Sequence, residues 1–352
     1  MGRGIKRRIT LVVSVVVGIF LFVAVIQNVG GVDAITQEIE KLGWWGALLS
    51  FANICVMVFG WIWGWKILLN AYGLYPSWAT LGRAVVGGYA LSYLTPSMYF
   101  GGEPFRIYLV TKELNANSTQ VTATIVIWKI LEGGTLFSLV IIGSFNAILS
   151  GALAVGDEVS LTLGNFIVIG GWGLLAWSFI TKRHWISRFC GVVQRKSPWG
   201  KEALGRLFHW LKEAETIIHD AFSTHTKAVL QVLVISLLIN LTVFVRPWIF
   251  FFFNSDVLLG FRNLSFVYAL FFFLSSFLWV TPGGLGIAEG GLVEIFKMIG
   301  RNIPDQAVTA FAITIRGMEL VFILVGLGIL IHFGAVKLPR LRRRKHPPEE
   351  HT

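Results

Sequence analysis

Two stretches of this chain place the same ionisable residues at the same spacing in apolar surroundings. Thr95-Pro96 is followed eight positions after the threonine by Glu103, and Thr281-Pro282 eight positions after the threonine by Glu289. Beyond each glutamate a basic residue stands three positions before an acid: Lys129 with Glu132, then Arg316 with Glu319. The copies are offset by 186, 186, 187 and 187 residues. Carboxylates beside a lysine or arginine in a bilayer can bind a polar head group, exchange protons, or lock helices in register as ion pairs. A charge left unpaired at mid-membrane costs at least ~2.5–3.5 kcal/mol. Several at one depth persist only if they pair or line a wet cavity. Charges recurring in register point to a duplicated unit with its polar chemistry at the repeat interface, a common plan of secondary transporters.

The elements that position these residues follow from hydropathy. The chain is 55% hydrophobic and 14% charged, with mean hydropathy +0.70, whereas a soluble domain carries roughly 25% charged residues. The expected fold class is an all-α polytopic membrane protein. Six full spans are expected at about 9–29, 44–69, 118–148, 160–180, 228–253 and 307–334. Residues 79–112 and 265–300 are apolar but broken by Thr-Pro and glycines, and are expected to form two re-entrant hairpins. The net charge of +11 lies between apolar runs, where it orients the chain against anionic lipid and gives no reason to invoke nucleic acid.

Loop charge sets the expected topology. Arg3, Lys6, Arg7 and Arg8, the basic segment 181–226 and the tail 335–352 belong on one side, and the Lys/Arg-poor loops 30–43 and 149–159 on the other. Both termini are then cytoplasmic. Residues 1–148 form a first repeat containing hairpin 79–112, and 160–334 a second containing hairpin 265–300. Three full spans per repeat invert the second copy. Ile9 to Val29 reads as an uncleaved anchor. In the linker, Leu204, Leu207, Phe208, Leu211, Ile218, Ala221 and Phe222 share one helical face, which reads as an amphipathic helix on the inner leaflet. The basic tail is expected to be disordered.

Lys129 and Arg316 lie about 15 Å and 14 Å into their spans at ~1.5 Å per residue, from opposite surfaces, so both reach mid-membrane. Glu103 and Glu289 follow the hairpin breaks, which reach the same depth. One reading is a central cavity in which the cations and half-helix N-termini attract an anionic group while the glutamates balance charge or exchange protons. The other is a set of ion pairs that fix helix register. Glu103, which precedes Pro104, also suits a helix start for its dipole alone. Glu132 and Glu319 could each serve only the basic residue three positions before it. Arg106 could guide a head group inward or reach for the interface, and Arg246 could reach outward or form an outer anionic site. Lys66 reads as an interfacial anchor. The glycine pairs read as places where backbones bend and pack closely in lipid, since no strand precedes them as a phosphate loop requires. The two cysteines imply no disulfide framework, and no histidine or cysteine spacing suits a metal or cofactor. No G-x-S-x-G elbow is present.

The stretch from Leu94 through Thr95-Pro96 and Gly101-Gly102-Glu103-Pro104 to Arg106, with Thr281-Pro282-Gly283-Gly284 to Glu289, resembles the membrane domain of the lysylphosphatidylglycerol synthase/flippase family. The resemblance covers about residues 9–335. It implies movement of a polar-headed, anionic or aminoacylated lipid between leaflets, and a stand-alone membrane domain without the soluble synthase portion. Where the family pattern leads one to expect small residues after Pro96, this chain has Ser97-Met98-Tyr99-Phe100.

The expectation is therefore a lipid transporter and not an enzyme, in the plasma membrane of a prokaryote. Its partners are membrane lipids and, in some form, copies of itself. Thr95, Thr281, Glu103, Arg106, Lys129, Glu132, Arg246, Glu289, Arg316 and Glu319 are the substrate-binding candidates. Glu103, Lys129, Glu289 and Arg316 are expected to converge on one cavity. The alternatives are an ion-coupled transporter of a small polar solute and an integral-membrane enzyme that uses the glutamates as acid and base.

Overall fold

The computed structural model describes residues 3–94, 101–149, 155–180, 216–255, 257–277, 281–300 and 303–334. Among them the chain is helical, with no strand. The order is α1 (Arg3–Asn28), α2 (Gly31–Lys41), α3 (Gly43–Ala71), α4 (Trp78–Leu94), α5 (Glu103–Leu114), α6 (Ser118–Leu149) and α7 (Val155–Ile180). It continues with α8 (Thr226–Ser255), α9 (Phe261–Phe277), a 3-10 turn Pro282–Gly284, α10 (Ile287–Met298) and α11 (Asp305–His332). Helices α3, α6, α8 and α11 are each long and apolar enough to cross a membrane. The end of α1 and α2 make a fifth such segment if taken as one span bent by 76°. The protein is thus an all-α polytopic membrane protein.

The 30–43 stretch, expected as a loop, is largely helix α2. Gly30 and Gly31 take φ of 101° and 84°, a conformation open to glycine at little cost, and this turns the chain between α1 and α2. Ile35 and Glu38 face inward. Asn254 on α8 donates to the Glu38 carbonyl (2.6 Å) and carboxylate (3.1 Å). Polar composition suggested a loop, but the buried Ile35 and Glu38 lie on one face three residues apart, as a helix requires.

Helices α3–α6 have lengths of 29, 17, 12 and 32 residues, and α8–α11 have 30, 17, 12 and 28. Exchanging the two sets preserves the main packing pairs. α3 lies on α8, α6 on α9 and α4 on α11, while α4–α5–α6 and α9–α10–α11 each pack in sequence. The α3–α8 pair is antiparallel: Gly46 meets Phe253, and Gly60 meets Ile239. An axis exchanging two antiparallel helices must lie perpendicular to them, as an inverted repeat requires.

Small residues allow the close crossings. A Cβ on Gly143 of α6 would strike the Ser265 carbonyl and Ala269 of α9, and one on Gly326 of α11 would strike the Val86 carbonyl and Ala90 of α4. In lipid, where apolar surface gains little from leaving the solvent, such contact supplies much of the helix association.

The end of the basic linker departs from expectation. Residues 216–223 are helical, with Ile218 and Ala221 buried against the protein. Tyr72, just past α3, donates its hydroxyl to the Ile217 carbonyl at 2.6 Å. These residues pack inward and do not face lipid. Leu204, Leu207, Phe208 and Leu211, like the tail 335–352, lie outside the described residues.

Candidate functional site

The described residues that close the two hairpin breaks differ. Gly102 ends the first break at φ −89°, and its amide donates to Ser92 Oγ at 2.9 Å. A Cβ there would run into the Gly88 carbonyl. In the second break, Gly283, Gly284 and Gly286 take φ of 61°, 67° and 80°. Thr281 is buried and donates its hydroxyl to the Leu285 carbonyl at 2.9 Å, closing the turn. Glu289 reaches back from the third position of α10 to accept the Gly286 N–H at 2.7 Å, a helix-capping contact favoured by the helix dipole. Thr95 lies outside the described residues.

Glu103 opens α5 with Pro104 beside it, so the proline costs no helical hydrogen bond. Its carboxylate pairs with Arg106 Nη1 at 3.2 Å and Lys129 Nζ at 3.7 Å. Lys129 also pairs with Glu132 at 3.0 Å, whose other oxygen accepts the Trp61 indole N–H of α3 at 3.0 Å. The result is a run of alternating charge, Arg106–Glu103–Lys129–Glu132. Arg106 is buried within it and does not reach the interface. Gly88 of α4 makes room for its side chain, since a Cβ there would lie 2.6 Å from Arg106 Nε.

The second cluster is tighter. Arg316 Nη2 lies 2.6 Å from Glu289, whose side chain is 0% exposed. Arg316 Nη1 donates to Tyr93 Oη and to the Gly283 carbonyl, both at 2.9 Å. Tyr93 belongs to α4, so the first hairpin completes the second cluster. Tyr89 lies one turn earlier on α4 and packs on Trp61 with ring centroids 5.5 Å apart. The face of α4 carrying Tyr89 and Tyr93 therefore borders both clusters.

Glu319 does not pair with Arg316, its neighbour at the i−3 position. It pairs with Arg246 of α8 at 2.9 Å. Arg246 is buried and held further by Asn53 Oδ1 at 3.3 Å and Met57 Sδ at 3.0 Å, so it does not reach outward. Because Arg316 is already engaged by Glu289, Tyr93 and Gly283, Glu319 turns to the helix that faces it. Lys66, five residues before the end of α3, donates its ammonium to the Pro76 carbonyl at 2.5 Å and lies over the Trp78 ring.

Trp61, Tyr89, Tyr93, Asn53, Asn240 and Tyr268 were not among the sequence candidates. Asn240 donates to Thr135 Oγ1 at 2.8 Å and accepts the Tyr268 hydroxyl at 3.0 Å, tying α8 to α6 and α9. Polar amides within apolar spans were the available signal for Asn53 and Asn240. Tyr93, two positions before Thr95, lay beside the motif. Among the described residues, no group of three or more His, Cys, Asp or Glu side chains could hold a metal ion.

Fold and site define a multi-pass helical membrane protein with charges buried as ion pairs between its helices. The chain belongs to the family described as the lysylphosphatidylglycerol synthase transmembrane region, whose family model matches residues 10–326. It is similar to a UPF0104 membrane protein of Methanocaldococcus jannaschii, 22% identical over 320 residues, covering 88% of this chain and 90% of that protein. No solved structure matches.

Proposed function

We infer that the protein translocates a polar-headed lipid between leaflets. The head group passes the charge clusters between the two halves while the acyl chains stay in the bilayer. Family membership supports a lipid-related role. The observation that carries the reading is the state of the two arginines. Arg106 Nε and Arg316 Nε are enclosed donors without a hydrogen-bond partner among the described residues. A buried unsatisfied N–H is costly, and head-group phosphate oxygens are acceptors of the kind arginine binds. On this reading Glu103, Arg106, Lys129 and Glu132 exchange partners with the head group, and Arg316 offers it only Nε while Glu289 holds that guanidinium in place. Arg246 and Glu319 hold α8 to α11, and Thr95 and Thr281 shape the hairpin tips. The protein acts as a transporter in a prokaryotic plasma membrane with both termini cytoplasmic.

The test is leaflet exchange of fluorescent phosphatidylglycerol in proteoliposomes, run beside release of a trapped small polar anion. Faster lipid exchange than in protein-free vesicles, without anion release, is expected. Anion release without lipid exchange would favour the small-solute transporter instead.

A further inference from the structure

Resting on the translocation reading, we propose that Glu132 carries a proton with each anionic head group, so that lipid movement is coupled to protons. The argument starts from charge. The two clusters and the Arg246–Glu319 pair contain four cations (Arg106, Lys129, Arg246 and Arg316) and four carboxylates (Glu103, Glu132, Glu289 and Glu319) joined in ion pairs. They sum to zero. A monoanionic phosphodiester entering this site brings an uncompensated charge into a region of low dielectric. Uptake of one proton by a carboxylate restores the balance.

The contacts single out Glu132. Glu289 is sealed, held by a guanidinium and by the Gly286 amide. Neutralising it would strand a buried arginine, and neutralising Glu319 would strand Arg246 in the same way. Glu132 is held by Lys129, and Lys129 has a second carboxylate, Glu103, at 3.7 Å. Its other partner, the Trp61 indole N–H, can still donate to the carbonyl oxygen of a neutral acid, though more weakly than to a carboxylate. Protonation of Glu132 therefore leaves Lys129 paired. Arg106, Glu103 and Lys129 then carry a summed charge of +1, which matches one phosphodiester.

The surroundings of Glu132 agree. From α8, Asn240 reaches its backbone carbonyl at 3.4 Å. From α9, the Tyr268 phenol donates to that same Asn240 at 3.0 Å. α7 meets the following glycines, Gly133 and Gly134, with the uncharged ring of Trp172. No further carboxylate or cation among the described residues forms an ion pair with Glu132. In the cycle, water on the loading side supplies the proton, the carboxylate becomes a carboxylic acid as the phosphodiester binds, and both are released to the other side.

The experiment measures binding of short-chain phosphatidylglycerol to the purified full-length protein in detergent across pH, with short-chain phosphatidylcholine alongside. The phosphodiester stays a monoanion throughout, so any pH dependence belongs to the protein. Phosphatidylglycerol binding should tighten about tenfold per unit fall in pH, the slope for one linked proton. Wild-type protein in weak buffer should take up one proton per lipid bound, a readout that needs no variant. Glu132→Gln, which mimics the protonated acid, should bind phosphatidylglycerol independently of pH. Wild-type binding without pH dependence or proton uptake would overturn proton coupling and leave the translocation reading standing. A Glu132→Gln variant keeping the wild-type slope would overturn the assignment to Glu132. Absence of binding by either lipid at every pH would overturn both readings.

Discussion

The two halves solve one electrostatic problem in different ways. In the first, Glu103 is shared by Arg106 and Lys129, and Lys129 is shared by Glu103 and Glu132. In the second, Leu292 stands where the 186-residue offset would place the counterpart of Arg106. Glu289 accordingly has one cation, Arg316, backed by Tyr93 and Gly283. Side-chain exposure follows: 12% and 28% for Glu103 and Lys129 against 0% and 16% for Glu289 and Arg316. A cluster with redundant partners can lose one and stay paired, whereas a sealed pair cannot. The first half is therefore suited to exchanging partners with a substrate, and the second to anchoring the hairpin it closes.

The largest expected effect tests that contrast directly. Glu289→Ala leaves Arg316 buried without its carboxylate and should destabilise the protein by about 3–5 kcal/mol. Glu132→Ala leaves Lys129 paired with Glu103 and should cost only about 1 kcal/mol. Denaturant unfolding in detergent measures both. Equal losses would erase the distinction between an anchoring and an exchanging cluster.

The hairpin breaks allow a second comparison. Gly102→Ala, at a backbone angle open to any residue, would press a methyl group into the Gly88 carbonyl and should cost about 1–3 kcal/mol. Gly284 has room for a side chain, its nearest neighbour being Ala288 Cβ at 3.7 Å. It sits at positive φ, so Gly284→Ala should cost about 1–2 kcal/mol through the backbone alone. Asparagine tolerates that conformation, so Gly284→Asn should be milder than Gly284→Ala, while Gly102→Asn should be worse than Gly102→Ala. Thermal midpoints of the four variants separate crowding from handedness. The reverse order at either site would show that its glycine was assigned the wrong role.

Much of the site was legible because intramembrane charges are few and their spacing repeats. Glu103 with Lys129, and Glu289 with Arg316, meet as matched pairs on the return helix of each hairpin and the span that follows. Lys129 and Arg316 are each the twelfth residue of their helices. The Arg246–Glu319 pair was not legible. The i,i+3 spacing of Arg316 and Glu319 suggests a local pair, and only the approach of α8 to α11 shows that the partner lies 73 positions away. Helix α2 was hidden by its polar composition. Trp61 was hidden among the chain's 14 tryptophans, most of which suit lipid contact or interface belts.

The smallest effect concerns the junction of the first half with residues 216–223. Burial, and to a lesser degree the nearby Asp220, raises the Tyr72 hydroxyl above the usual tyrosine range. In the unfolded chain Tyr72 ionises near pH ~10. Its contribution to stability is thus full below that pH and should fall by about 1.4 kcal/mol per unit above it. Unfolding measured between neutral and strongly alkaline pH should show this loss, and Tyr72→Phe should lack it. An identical alkaline slope in both proteins would mean that Tyr72 does not govern the junction.

The most direct measurement pairs leaflet exchange of fluorescent phosphatidylglycerol with thermal unfolding for the double variant Lys129→Ala, Glu132→Gln, which removes the shared cation of the first cluster without leaving its second carboxylate unpaired. The account predicts lipid exchange reduced at least about tenfold, equivalent to about 1.4 kcal/mol, with the unfolding midpoint close to that of the wild type. Exchange at the wild-type rate with a clearly lowered midpoint would contradict it, and would show that these charges lock helices together without meeting a head group.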